Sequence, residues 1–249
     1  MMKPILTILS TFFLFISCSL LAANSTTVIT EQDAIKALIS DISVRNFARV
    51  EALSQKNIRI QSSALSLSLL RHQPLLNNGT RSEVSVDYPF LEHDTVSYEW
   101  EMMLPTGFKH DAPQNRWWAM SQWHVQPDRT KNESWDDYPN EPPSIALYFG
   151  YIDGHYYLST HYMDVQPEVD NLIEIELGKW TKIKAEITWS QAENGKMKLW
   201  LNDSKTPHFT YYGANMLNTY QHYFKVGMYR HPEITTENTI HLRALHVSK

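Results

Sequence analysis

"TVSYEWEMML", residues 95–104, decides the fold. Val96, Tyr98, Trp100 and Met102 alternate with Ser97, Glu99 and Glu101. Successive side chains of a strand point to opposite faces, so this run has one apolar and one wet face. The same period of two recurs in "NIRIQ" (57–61), "ALSLSLL" (64–70), "KIKAEITW" (182–189), "KMKLWLND" (196–203) and "TIHLRALHV" (239–247). In "KIKAEITW" the inward set is Ile183, Ala185, Ile187 and Trp189. Turn signals separate the runs: "NNGT" (77–80), Asp153–Gly154, Asn194–Gly195 and Asn202–Asp203. Many short strands with little helix predict an all-β protein, a sandwich of antiparallel sheets.

Before residue 58 the pattern differs. "TEQDAIKALISDI" (30–42) offers Thr30 as a helix N-cap and sets Ile35, Leu38, Ile39 and Ile42 at helical spacing. A short N-terminal helix is predicted there. The first residues combine Lys3, a short apolar run and then small residues, the pattern of an export signal over 1–22. That run stops short of the ~20 apolar residues a membrane span needs, and no later segment reaches it. Cys18, the single cysteine, allows two readings. It is either part of a peptide removed near Ala22 or Ala23, or the lipidated residue of a lipobox in "FISC", where Phe15 departs from the usual Leu. Both imply an exported protein, periplasmic, outer-membrane-anchored or secreted, whose fold relies on its core instead of disulfides. The expected organisation is a signal (1–22), a leader and helical segment (23–57) and one β domain (58–249).

The chain has 249 residues and a formal net charge of −5, which argues against nucleic acid as the main partner. A local basic face remains compatible with an anionic polymer. No HExxH, G-x-S-x-G or phosphate-binding glycine loop occurs. The polar loop "PDRTKNESWDDYPNEPP" (127–143) holds Asp128, Glu133, Asp136 and Asp137, candidate ligands for a structural calcium that lack the spacing of a known calcium loop.

Three strands place polar groups on a common face. In "AMSQWHVQP" (119–127), Gln122 and His124 share a face and Trp123 opposes them. In "GTRSEVSV" (79–86), Arg81, Glu83 and Ser85 oppose Ser82, Val84 and Val86. In "YFKVGMYRH" (223–231), Lys225, Gly227 and Tyr229 oppose Val226 and Met228, and Gly227 is expected to leave a gap where a ligand approaches the backbone closely. Together these groups contain what β-elimination in a uronic-acid polymer requires. The C5 proton is weakly acidic, and its removal gives an enolate-like dianion. Donors such as Arg, Lys or an amide must neutralise the carboxylate. A base such as neutral His must take the proton, and an acid such as Tyr must protonate the leaving oxygen at C4. The chemistry requires no cofactor.

"RSE" (81–83), "QWH" (122–124) and "KVGMYR" (225–230) follow the order of the three signature strands of jelly-roll polysaccharide lyases, which the chain resembles over roughly 58–249. "PPSIALYFG" (142–150), "GKWTKIKAEITWS" (178–190) and "GKMKLWLND" (195–203) make it more similar to the group of glucuronan lyases and heparin lyase I than to alginate lyases. Trp123, where alginate lyases carry Ile or Val, and the "RH" after Tyr229 point the same way. The resemblance implies a β-jelly-roll of two antiparallel sheets with a positively lined groove. Arg81 and Gln122 would contact the substrate carboxylate, His124 would be base or neutraliser, and Tyr229 the acid, with the base work split by the C5 epimer cut. Lys225, Glu83, Arg230, Tyr157 and His161 complete the expected substrate-binding set. Trp117, Trp118, Trp135 and His155 belong either to the groove or to ordinary packing. A non-catalytic, lectin-like carbohydrate-binding sandwich is the alternative, distinguished by binding without new ultraviolet absorbance. A glycoside hydrolase would need two suitably spaced carboxyls, for which only Glu99 and Glu101 offer a shared face.

Overall fold

A computed structural model describes residues 28–138, 141–163 and 171–249. Residues 1–22, where an export signal is expected, and Cys18 with them lie outside these residues, and no described helix is long and apolar enough to cross a membrane. Among the described residues fourteen strands form two antiparallel sheets of seven. The site sheet contains β1 (Ala48–Ala52), β4 (Thr80–Val86), β6 (Trp118–His124), β7 (Ile145–Ile152), β8 (His155–Tyr162), β9 (Ile173–Ile175) and β13 (Tyr223–Arg230). Its order is β1-β4-β13-β6-β7-β8-β9. The opposing sheet runs β12-β11-β10-β5-β14-β3-β2. It comprises β2 (Ile58–Gln61), β3 (Ala64–Leu69), β5 (Thr95–Met103), β10 (Trp180–Thr188), β11 (Lys196–Leu201), β12 (Phe209–Tyr212) and β14 (Asn238–Ser248).

The expected alternation holds. On β5, Val96, Tyr98, Trp100 and Met102 are buried and face the other sheet. On β10, Ile183, Ala185 and Ile187 do the same, followed by Trp189. From the site sheet, Trp123 and Phe224 meet Tyr98 and Trp100, with ring centroids 4.9–6.2 Å apart. This aromatic layer is the centre of the core, and each such side chain removes a large apolar area from water. The Asp153 and Asn202–Asp203 turns have positive φ, the backbone that Asn and Asp tolerate best.

Two expectations about the N-terminal part change. α1 spans Glu31–Leu38 behind a Thr30–Asp33 capping box, and a separate short helix, α2, covers Ile42–Arg45. Because α1 stops at Leu38, Ile42 falls off its buried stripe and is exposed. The sandwich also begins before residue 58, because β1 pairs with β4 along its whole length, Ala48↔Val86 through Ala52↔Ser82.

Candidate active site

β4, β13 and β6 are adjacent in the middle of the site sheet, and their register assembles the polar face. Tyr229 lies opposite Arg81, Gly227 opposite Glu83, and Lys225 opposite Ser85. On the other side of β13, Lys225 lies opposite Gln122 and Tyr223 opposite His124. Bulges in β13 and β6 restore the phase, so that Trp118 and Trp123 both point into the core although they stand five positions apart. Small residues, Ala119, Ala146 and Gly150, share the outer face with the long side chains and leave space between them.

The side chains form a connected network. Arg81 Nη1 donates to Glu51 Oε2 at 3.0 Å, and Lys225 Nζ donates to the same oxygen at 2.7 Å. Arg81 Nε lies 2.9 Å from Glu83 Oε2, an ion pair without hydrogen-bond alignment. Gln122 Nε2 donates to Glu83 Oε1 at 2.8 Å. The Arg81 guanidinium covers the Tyr229 ring at 4.2 Å from its centroid, and Lys225 Nζ lies 5.0 Å from that of Tyr223. Tyr229 donates its hydroxyl hydrogen to Asn77 O, and Trp117 packs on its ring at 4.9 Å.

Burial sets the protonation states. Burial works against the charge of Glu51, but Lys225 and Arg81 outweigh it and hold the carboxyl below its usual range. Burial pushes the fully enclosed Glu83 carboxyl up, opposed by Lys225 and Arg81. Each Glu83 oxygen faces a donor and none faces an acceptor, so Glu83 is read as a carboxylate. Burial raises Tyr229, while Arg81 partly counters it, so the phenol keeps its proton at neutral pH. Burial lowers His124, against the hydrogen bond to Val125 O, which keeps the imidazole neutral.

His124 stands apart from the network. Its Nδ1 lies 2.8 Å from Val125 O and its Nε2 3.0 Å from Glu141 O. A neutral imidazole donates through one nitrogen only, so one of these carbonyls faces a lone pair. Trp135 of the 127–143 loop and Tyr223 flank the ring at 6.3 and 5.9 Å. The loop is held by its own acids. Glu133 Oε2 accepts from Asp128 N, Tyr138 Oη and Asn218 Nδ2, and Asp128 Oδ1 from Thr130 N. Among the described residues no group of three or more His, Cys, Asp or Glu side chains is arranged to hold a metal.

Arg81, Glu83, Gln122, Lys225 and Tyr229 therefore come together, with His124 at their edge. Tyr157 and His161 lie on the same face, on β8, where His161 opposes Ala146 and its ring lies 6.1 Å from that of Tyr148. Arg230 is a correction. It points inward, fully buried, donates to Thr80 Oγ1, Asn238 Oδ1 and Thr236 O, and covers Trp118 at 4.9 Å. It follows Tyr229 directly, so the pleat turns it to the other face. Gly227 is a second correction. It has φ +148°, and a Cβ there would lie 2.4 Å from Ser82 O and 2.6 Å from Glu83 Cα, so what it admits is the neighbouring strand. Trp118 is core, whereas Trp117 and Trp135 are exposed beside the polar face. Glu99 and Glu101 lie on the outer face of the opposing sheet, paired with Lys182, Lys184 and Arg243. Sequence reasoning missed Glu51 and Tyr223. The alternation of Arg49 and Glu51 with Ala48, Val50 and Ala52 is the signal for the former. A hollow of about 760 Å³ between α1, β2 and β14 is lined by Arg243 but by none of the polar residues of the site sheet.

A two-sheet sandwich that sets cations, an amide, an imidazole and a phenol on one sheet face has the architecture of jelly-roll enzymes acting on polysaccharides. The model of the polysaccharide lyase family matches residues 40–245, and the chain belongs to that family. It is a polysaccharide lyase. The solved structures it resembles include endo-β-1,4-glucuronan lyase from the fungus Trichoderma reesei, 16% identical with TM-score 0.55, covering 81% of this chain and 87% of that one. A double mutant of alginate lyase Aly36B in complex with alginate tetrasaccharide is 12% identical with TM-score 0.57, covering 89% and 91%. The catalytic domain of a glycoside hydrolase family 131 protein from Coprinopsis cinerea is 9% identical with TM-score 0.50, covering 82% and 78%. At these identities the likeness concerns the fold alone, which hosts more than one chemistry. No curated protein matches the sequence.

Proposed function

We propose that this lyase cleaves a uronic-acid-containing polysaccharide by β-elimination and leaves an unsaturated uronate end. The observation that carries the reading is the contact chain Tyr229–Arg81–Glu83–Gln122 on one face. It sets a protonated phenol against a fixed guanidinium and an amide whose second N–H is uncommitted to Glu83. Arg81 and Gln122 receive the carboxylate and stabilise the charge that builds as the C5–H bond breaks. His124, kept neutral by burial, accepts the C5 proton. The electron pair forms the C4–C5 double bond, the C4–O bond breaks, and Tyr229 gives its proton to the departing oxygen. Lys225, which meets Arg81 at Glu51 Oε2, is a second cation for the substrate carboxylate. Tyr157, His161 and the exposed Trp135 offer flat surfaces for further sugars. The elimination draws on side chains alone. The glucuronan and alginate lyases of similar fold favour an acidic substrate, and the N-terminal signal favours an exported enzyme, anchored through Cys18 or released.

Glu141 O must withdraw from His124 Nε2 before that nitrogen can act as base, so productive binding includes a shift of the Glu141 main chain. The test is a panel of glucuronan, alginate and heparin followed by ultraviolet absorbance. Rising absorbance with at least one polymer is expected. A flat trace with all of them, from enzyme shown to be folded, removes the proposal.

A further inference from the structure

Glu51 has no place in the elimination, yet it occupies the position where the substrate's anion should go. Its Oε2 bridges Arg81 Nη1 at 3.0 Å and Lys225 Nζ at 2.7 Å. Both cations are nearly closed to water, their side chains 7% and 4% exposed, whereas the Glu51 side chain is 25% exposed and comes from an edge strand. Among the carboxylates of the network it is the one that can leave. Glu83 is fully enclosed between Arg81 and Gln122.

Counting charge shows what leaving achieves. Arg81 and Lys225 are balanced by Glu51 and Glu83, so the face is neutral at its centre. A uronate arriving beside an unmoved Glu51 would give three carboxylates to two cations in a poorly hydrated site. A uronate that replaces Glu51 keeps the balance, and Glu51 turns to solvent. We infer that Glu51 is a specificity-determining residue, an internal carboxylate that competes with the substrate's own for Arg81 and Lys225. This rests on the polyuronate reading above. It makes binding an exchange of one carboxylate for another. Neutral sugars, which cannot displace Glu51, are refused, and the affinity for uronate is held down.

The experiment titrates the full chain and its Glu51→Gln variant with D-glucuronate and, separately, with D-glucose, followed by nuclear magnetic resonance. Glu51→Gln keeps the shape and removes the competing charge. Glucuronate is expected to bind the variant about tenfold more tightly than the parent, with a matching fall in KM for any polyuronate cleaved, and glucose is expected to be unchanged. Equal or weaker glucuronate binding by a folded variant, or binding by neither protein, overturns the inference. The first result would make Glu51 a residue that merely positions the two cations. If Glu51→Gln does not fold, Glu51→Ala is titrated in the same way and judged by the same outcomes. Failure of the polyuronate reading registers elsewhere, as absent ultraviolet product from both proteins across the panel, whatever glucuronate binding shows.

Discussion

The outer faces of the two sheets are built from the same kinds of side chain and are physically different surfaces. On the opposing sheet Lys182 and Lys184 approach Glu99 at 3.7 and 3.6 Å, Lys198 approaches Glu186 at 3.7 Å, and Arg243 reaches Glu101 at 2.5 Å. Those side chains are 27–41% exposed. On the site sheet Arg81, Glu83 and Lys225 are 0–7% exposed. Water screens the first group, and such pairs are worth at most about 1 kcal/mol. Screening is weak in the second, where Tyr229, Trp117 and Tyr223 stand around the cations. Composition is thus shared, and access to water separates a solvated ladder from an enclosed network in which charges act on one another with little screening.

Substitutions sharpen that contrast, and the largest effect is expected in turnover. Tyr229→Phe should lower kcat by roughly a hundredfold to ten-thousandfold while circular dichroism stays unchanged. Near-parental turnover would take Tyr229 out of the chemistry. Next comes stability. Glu83→Ala leaves Arg81 and Lys225 without one enclosed counter-charge, and denaturant unfolding should show a loss of about 3–5 kcal/mol. A loss below 1 kcal/mol would place the site network in the same class as the opposing ladder.

The third effect depends on pH. His222, packed on Trp189, has a pKa lowered to about 4 by burial. The neutral ring is satisfied, donating from Nδ1 to Tyr220 O and accepting Leu217 N–H at Nε2. The unfolded chain binds this proton near pH 6.5 and the folded chain only near 4. The stabilisation is therefore complete above the unfolded value and is lost as pH falls through that window. It amounts to about 3 kcal/mol, and His222→Gln should flatten the slope of unfolding free energy against pH. Parallel slopes for the two proteins would contradict it. The smallest effect belongs to the exposed ladder, where Glu186→Gln should stay within about 0.5 kcal/mol in the same unfolding assay.

The period of two in β5, β10, β11 and β14 made the sandwich readable, because a residue's face follows from counting. The same count brought Arg81, Gln122, Lys225 and Tyr229 to one surface. It also assigns Arg230 to the core, and expecting it beside the substrate gave sequence adjacency to Tyr229 more weight than the pleat. Glu51 was missed because β1 is a five-residue edge strand of middling burial, "ARVEA", joined to a helical segment. The cover on His124 had no signature at all. It is made by the main-chain carbonyl of Glu141, and every residue carries one of those.

Gly79 has a consequence of its own. A Cβ at this position would lie 2.4 Å from Tyr229 Cε2, 2.7 Å from Arg230 O and 3.0 Å from Trp117 Cη2. The phenol thus rests in a niche that exists only because residue 79 has no side chain. Even a methyl group there would push the Tyr229 ring and Trp117 out of their present places, so the orientation of this phenol is governed by a residue that carries no functional group of its own.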